Sequence, residues 1–294
     1  RIAGEEAPLD LKWRGTALAE FDGSRWFNSS EAAAPLRVQD NLLRLADDQQ
    51  RRLPGRRLNY EVWLRSFASD VLFIAGRPEF IRINAPLVLR TAQDGYRTAY
   101  RGSTVLRYGV YSFLESPLAS PEPLLASPEP AVSSTYLALP SLDARTASLA
   151  RRIADPQPLA MAKAQAIEAY LRRNYAYSLD LPDTEPADPI ADFLFSRRQG
   201  HCEYFASAMA VMLRQVGIPS RVVTGFQSGT YNPISGWYVI RASDAHSWIE
   251  AWIPGRGWVT FDPTPPGPAT DGSALTARLS LLFDAAETFW QEWV

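Results

Sequence analysis

Cys202 is the only cysteine of the chain, and it stands where a loop runs directly into a predicted helix. Apolar residues follow it at helical spacing, and Gly217, Ile218 and Pro219 end the helix. A thiol in the first helical turn meets unpaired backbone N–H groups and the positive end of the helix dipole, which favour its anion. This position predicts a reactive thiolate. A small buried hydrophobe is the alternative for a lone cysteine.

The chain has only two histidines, His201 and His246, and both lie near Cys202 in the sequence. His246 belongs to a run, residues 243–252, whose composition is typical of a β-strand. Because successive strand residues point to opposite faces, one face carries His246, Trp248, Glu250 and Trp252. The clustering favours a nucleophilic cysteine with an imidazole partner.

A second short strand is predicted at residues 258–263. If the two strands pair antiparallel across the short loop between them, Trp252 faces Trp258. His246 and Asp262 then become diagonal neighbours on one face, about 7–8 Å apart between backbones, a gap that side chains bridge. A slip of one residue in this register would place them on opposite faces.

Thiol, imidazole and carboxylate together perform acyl transfer. Cys202 is the predicted nucleophile, His246 the general acid and base, and Asp262 the group that orients the imidazole. Backbone N–H groups at the helix start, including that of Cys202, would stabilise the oxyanion. A zinc site using these residues and His201 is an alternative, although the chain has no second cysteine and no close pair of ligands. For His201 the preferred interpretation is that it orders the loop.

Four linked segments of the chain resemble the transglutaminase-like core in order and spacing. They are residues 200–206, 217–226, 244–250 and 258–264. The resemblance spans roughly residues 142–266. It implies a papain-like α+β fold whose Cys-His-Asp triad is formed by Cys202, His246 and Asp262.

Two further segments, residues 13–26 and 136–140, resemble the region that precedes this core in bacterial membrane transglutaminase-like proteins of the TgpA type. In those proteins, membrane helices precede and follow this region. The resemblance therefore implies that the chain is a periplasmic domain of an inner-membrane protein, and that segments outside the chain attach it to the membrane. The sequence begins at Arg1 without an initiator methionine, so we expect a piece of a longer protein.

The resemblance also implies an activity, namely thiol-dependent acyl transfer at a protein glutamine carboxamide through a cysteine thioester, without a cofactor. The partners would be a protein or peptide that carries the glutamine donor and an amine acceptor. A cysteine protease or a deamidase would use the same triad, and a catalytically silent binding module is a further alternative. No calcium-binding loop is visible, so we expect independence from calcium.

Composition limits the remaining function classes. A chain of 294 residues with 46% hydrophobic residues is long and apolar enough for about two domains. A net charge of -2 argues against nucleic acid as a partner, because binding phosphates requires a basic face. No run of about 18 apolar residues occurs, so we expect no membrane span within the chain.

Periodicity along the chain predicts an α+β organisation with three parts. Residues 1–140 form a mostly antiparallel β-rich domain, and a proline-rich loop lies at 116–134. The resemblance assigns residues 141–268 to the transglutaminase-like core, and composition predicts that this part opens with helices at 145–153 and 159–173. The spacing predicts an amphipathic helix at 269–294. The resemblance implies that this helix leads toward a membrane segment, and packing of its apolar stripe on the domain is the alternative.

Four further residues are candidates for lining the substrate cleft. Trp248 is the tryptophan that best suits the wall of a hydrophobic channel that excludes water. Tyr204 and His201 belong to the motif around the thiol. Tyr175 is placed near the thiol only by the resemblance. Packing in the core is the alternative for each of these aromatic residues.

Overall fold

The structure, a computed structural model, describes residues 11–30, 32–45, 55–65, 70–98, 105–115, 134–180, 184, 186–227, 229–233 and 235–266. It contains helices and mostly antiparallel strands, which confirms the predicted α+β fold class. Apart from Ser134, the predicted loop at 116–134 lies outside the described residues, as does the predicted helix at 269–294. Across the described ranges, no helix combines the length and apolar character needed to cross a bilayer.

The first part of the chain consists of short strands. They are β1 (Lys12–Leu18), β2 (Glu20–Phe21), β3 (Trp26–Phe27), β4 (Ala33–Arg37), β5 (Leu42–Arg44), β6 (Gly55–Leu64), β7 (Ile74–Ala75), β8 (Arg77–Ile83), β9 (Leu87–Thr91), β10 (Tyr96–Thr98) and β11 (Leu106–Glu115). Strands β5, β8, β11 and β6 form one antiparallel sheet, and β10, β9 and β4 form another. Side chains that alternate between a buried and an exposed face are typical of a strand. β6 shows this pattern, because Leu58 and Tyr60 are buried and the residues between and beside them are exposed.

The second part contains the helices. They are α1 (Ala144–Ala154), α2 (Ala160–Asn174), α3 (Pro189–Ala191) and α4 (Cys202–Gln215), with a π-helical segment at Asp192–Arg197. Its strands are β12 (Ala176–Tyr177), β13 (Gln199–Gly200), β14 (Ser220–Gln227), β15 (Thr230–Asn232), β16 (Trp237–Val239), β17 (Ala245–Ile253) and β18 (Gly257–Phe261). The helices predicted at 145–153 and 159–173 are confirmed as α1 and α2, with ends shifted by one residue.

Helix α4 runs through the centre of the second part and packs on β14 and β17. Its residues from Ala208 to Arg214 are all buried, so the helix is covered on every side over its second half. Gly217 ends it as predicted, because its φ of 75° is left-handed and the next residue, Ile218, donates its N–H to the carbonyl of Leu213 at 2.9 Å. The buried helix holds its first residue, Cys202, in a fixed position.

A five-stranded central sheet, in the order β18-β17-β14-β1-β7, joins the two parts of the chain. β1 pairs antiparallel with β14, so a strand of the N-terminal part extends the sheet of the core. Gly225 of β14 lies between β1 and β17, opposite Arg14 and His246. A Cβ at this glycine would lie 2.0 Å from the carbonyl oxygen of Trp13. Only glycine permits this close approach of β1 to β14.

A buried ionic cluster fastens β1 to the central sheet. Arg14 Nε donates to Glu250 Oε1 at 2.8 Å, and Arg221 Nε donates to Glu250 Oε2 at 2.7 Å. Burial by itself would raise the pKa of Glu250, but the charges and hydrogen bonds of Arg14 and Arg221 lower it to about 2. The carboxylate of Glu250 on β17 therefore links this strand to both β1 and β14.

Candidate active site

Cys202 is the first residue of α4, as the sequence predicts, and the residue is partly exposed. Burial by itself would raise the pKa of its thiol. Hydrogen bonds from the side chains of His201 and His246 and from the backbone N–H of Ser247 outweigh burial and lower the pKa to about 6. The thiol is therefore mostly ionised at neutral pH.

His246 lies at the start of β17, and Asp262 follows the last residue of β18. The predicted register is confirmed, since Trp252 pairs with Trp258. It brings His246 Nε2 to 2.8 Å from Asp262 Oδ2, with side chains only 13% and 18% exposed. Because Nε2 faces the carboxylate, Nδ1 is the ring nitrogen left for the thiol of Cys202.

The three side chains shift one another's protonation. Burial by itself would lower the pKa of His246, but hydrogen bonds with Asp262 and Cys202 raise it to about 9. Burial would likewise raise the pKa of Asp262, yet the hydrogen bond from His246 and the charge of Lys12 hold it well below its usual range. Between pH about 6 and about 9, a thiolate therefore faces an imidazolium whose other side is bound to a carboxylate.

Asp262 has three further contacts that the sequence analysis missed. Lys12 Nζ binds Oδ2, the backbone N–H of Thr264 donates to Oδ1 at 3.1 Å, and the backbone N–H of Asp262 donates to Glu168 Oε1 at 2.7 Å. Glu168 lies on α2, so this helix also positions the site. One sequence signal could have drawn attention to Lys12, because it is one of only two lysines in the chain.

Two of the predicted cleft residues are half-buried at the thiol. The side chain of His201, the residue before α4, hydrogen-bonds to Cys202. Tyr204 is the third residue of α4, and its ring centroid lies 4.9 Å from that of His201. Both rings retain some exposed surface at the start of α4, and their place in a substrate cleft stays a prediction.

The other two predicted cleft residues are buried. Trp248 is 1% exposed, and its ring is stacked on that of His246 with centroids 6.2 Å apart. Tyr175 is 6% exposed and its hydroxyl donates to the carbonyl of Leu194 at 3.0 Å, which places it in the core under α4. A different tyrosine, Tyr177 of β12, is near enough to Cys202 that the thiolate charge adds to burial in raising its pKa.

The donor groups at this site do not form a metal-binding cluster. Within the described ranges, no group of three or more His, Cys, Asp or Glu side chains could hold a metal ion. His246 Nε2 and Lys12 Nζ both bind Asp262 Oδ2, so that oxygen already serves two cations.

We expect the titration of the site to be visible without any substrate. Because the pKa of Cys202 is lowered to about 6, its alkylation by iodoacetamide should rise with pH around an inflection near 6, whereas an ordinary thiol shows about 8.5. Because the pKa of His246 is raised to about 9, its imidazole should stay protonated up to that pH in an NMR titration. An alkylation inflection at the pH of an ordinary thiol would contradict the ion pair.

Comparison with known proteins identifies the family. Residues 147–263 match the family described as "Transglutaminase-like superfamily", and residues 1–119 match the "TgpA N-terminal domain". A protein-glutamine gamma-glutamyltransferase of Pseudomonas aeruginosa is 34% identical over 270 residues, which cover 90% of this chain. The chain belongs to the transglutaminase-like superfamily. Within it, the two matched families and their order make the chain TgpA-type.

Solved structures of the family agree with this assignment. The periplasmic domain of TgpA from Pseudomonas aeruginosa matches with a TM-score of 0.71 and 29% identity, covering 90% of this chain and 85% of that domain.

The uncharacterised protein YebA of Bacillus subtilis is 38% identical over 138 residues, which cover 44% of this chain. The chain spans only 37% of the length of the Pseudomonas transferase and 19% of YebA. The comparisons thus describe one region of these longer family members.

Proposed function

We propose that the chain carries a Cys-His-Asp triad that transfers the acyl group of a protein-bound glutamine side chain to a primary amine. The observation that carries this proposal is the bridging position of His246, whose ring contacts both the thiol of Cys202 and the carboxylate of Asp262. The named transferase among its relatives supports glutamine as the acyl donor.

In the first half-reaction, the Cys202 thiolate attacks the carboxamide carbon and forms a C–S bond. The C–N bond of the tetrahedral intermediate then breaks, and the His246 imidazolium gives its proton to the nitrogen, which leaves as ammonia. The products are a thioester on Cys202 and a neutral His246.

In the second half-reaction, a primary amine attacks the thioester carbon while His246 takes a proton from the nitrogen. The C–S bond breaks, an isopeptide bond remains, and Cys202 leaves as a thiolate that again faces an imidazolium. The Asp262 carboxylate keeps its hydrogen bond with His246 Nε2 through both half-reactions and stabilises the imidazolium. We propose the backbone N–H of Cys202, at the start of α4, as one donor to the oxyanion.

We also propose a periplasmic location, with attachment to the inner membrane through segments outside this chain. The likeness to a crystallised periplasmic domain supports this location. Protease added to spheroplasts of the native bacterium should digest this region of the full-length protein while cytoplasmic proteins stay intact. Protection of the region until the inner membrane is lysed would contradict the location.

The experiment that tests the reaction incubates the chain with a glutamine-bearing protein and a labelled primary amine, and scores label, ammonia and cleaved peptide. We expect label on glutamine and an equal amount of ammonia, and neither product with Cys202→Ala. Ammonia without label would indicate a deamidase, and cleaved peptide a cysteine protease. Either result, or no product at all, would overturn the transfer reaction, and activity of Cys202→Ala would overturn the nucleophile.

A further inference from the structure

The ammonium of Lys12 contacts three groups around the proposed triad. Its Nζ donates to Asp262 Oδ2 at 2.5 Å and to Gln227 Oε1 at 3.1 Å, and it lies 5.3 Å from the centroid of the Trp248 ring. The lysine side chain is 24% exposed, so the ion pair is partly shielded from water. The same Oδ2 accepts from His246 Nε2. Lys12 and His246 therefore share one oxygen of the carboxylate.

The central sheet dictates this position. β1 pairs with β14 so that Lys12 is opposite Gln227, and β14 pairs with β17 so that Gly225 is opposite His246. A Cβ at Gly225 would lie 2.9 Å from Cη2 of Trp248, so the indole occupies the space that a side chain at this position would take. The lysine reaches Asp262 over this ring, across β14.

The type of residue also matters at this position. Of the 30 basic residues of the chain, only Lys12 and Lys163 are lysines, and the others are arginines. Asp262 Oδ1 accepts from the backbone N–H of Thr264, and Oδ2 is shared with His246, so the carboxylate offers a single point of contact. A compact ammonium fits such a contact, whereas the planar guanidinium of arginine is suited to two parallel hydrogen bonds.

The charge of Lys12 acts on the proton that His246 must transfer. Titratable groups face the imidazole and its partners from several elements: Cys202 and His201 at the start of α4, Lys12 of β1, Asp262 after β18, Glu168 of α2 and Tyr177 of β12. Asp262 and the thiolate favour the imidazolium, and the ammonium opposes it. An imidazolium that holds its proton too tightly is a poor acid toward a leaving amine.

We propose that Lys12 is a positioning residue which the N-terminal part of the chain supplies to the active site, an inference that rests on the proposed function. It holds the Asp262 carboxylate in the orientation that His246 requires, and it keeps the imidazolium acidic enough to protonate the nitrogen that leaves as ammonia. The region that matches the TgpA N-terminal domain thereby takes part in the chemistry of the core.

Lys12→Met tests this role, because methionine keeps the length of the apolar stem and removes the charge. We expect kcat for amine incorporation to fall about tenfold, since the carboxylate loses one of its two fixed cations. We also expect the NMR titration midpoint of His246 to move to higher pH, because a nearby positive charge is lost. The chain has two histidines, so His201→Gln assigns the signals. Simple disruption of the site would instead move the midpoint down toward about 6.5.

Two further variants complete the test. Lys12→Arg restores a positive charge and should return the His246 midpoint toward that of the wild type, while Lys163→Met removes the other lysine and should change neither quantity. A folded Lys12→Met protein with unchanged kcat, or with a His246 midpoint that stays or falls, would overturn the proposal. Because the NMR titration needs no substrate, a wild type that incorporates no amine would overturn the proposed function, while an upward midpoint in Lys12→Met would still support the role of Lys12.

Discussion

Replacing His246 by glutamine should lower kcat/KM for amine incorporation by at least about 10³-fold. In the proposed reaction, the variant lacks the base that accepts the proton of the amine and the acid that protonates the leaving nitrogen. It also lacks the cation beside the thiolate, so the alkylation inflection of Cys202 should rise from near 6 toward the value of an ordinary thiol. Steady-state kinetics and an iodoacetamide pH series measure the two effects on the same preparation.

His201→Gln is the matched control, because both histidines of the chain hydrogen-bond to Cys202. Only His246 also binds a carboxylate, with its Nε2 at 2.8 Å from Asp262 Oδ2. His201→Gln should therefore raise the pKa of the thiol but leave proton transfer intact, at a cost of about tenfold or less in kcat/KM. Similar losses of kcat/KM in the two variants would contradict the assignment of His246 as the acid and base.

Replacing Glu250 by glutamine should lower the free energy of unfolding by about 3–5 kcal/mol, because it leaves two buried arginines without their shared carboxylate. The side chains of Glu250, Arg14 and Arg221 are only 9%, 18% and 3% exposed. Water therefore has too little access to the two guanidinium groups to solvate them in place of the lost carboxylate. Urea unfolding at pH 7 measures the change. Glu20→Gln, a substitution of a surface carboxylate that binds Ser29, is the control and should leave the urea midpoint near that of the wild type.

The pH dependence of stability distinguishes this explanation from a general packing defect. The pKa of Glu250 is lowered from 4.5 to about 2 in the folded chain, so its contribution is complete above pH 4.5 and is lost as pH falls toward 2. A shift of this size corresponds to about 3 kcal/mol. Urea midpoints of the wild type should therefore fall across this window more steeply than those of Glu250→Gln. Parallel pH profiles would show that the ion pairs are not the cause.

Sequence reasoning predicted the elements whose signals are local. The apolar spacing after Cys202 and the glycine at position 217 predicted α4, and the structure confirms both ends. Alternation in two neighbouring segments predicted the register of β17 and β18, including the pair Trp252 and Trp258. These predictions succeed because helix and hairpin geometry depend on residues that are close in the chain.

The surroundings of Asp262 could not be predicted in the same way. Lys12 and Asp262 are 250 residues apart in the chain. Glu168, which accepts a hydrogen bond from the backbone N–H of Asp262, lies 94 residues before it. Periodicity shows that β1 is a strand with a buried face, but the pattern does not specify which strand lies beside it. Only the pairing of β1 with β14 brings Lys12 and Arg14 to the sheet of the core.

The sequence by itself therefore determined the nucleophile candidate, its two histidine neighbours and the hairpin that joins His246 to Asp262, because residue type, spacing and short-range geometry are sufficient for these. The tertiary structure decided which charges surround the carboxylate, which aromatic rings are buried, and that the N-terminal strand β1 brings Lys12 to Asp262. Long-range strand pairing and burial set those features, and both depend on how the whole chain packs.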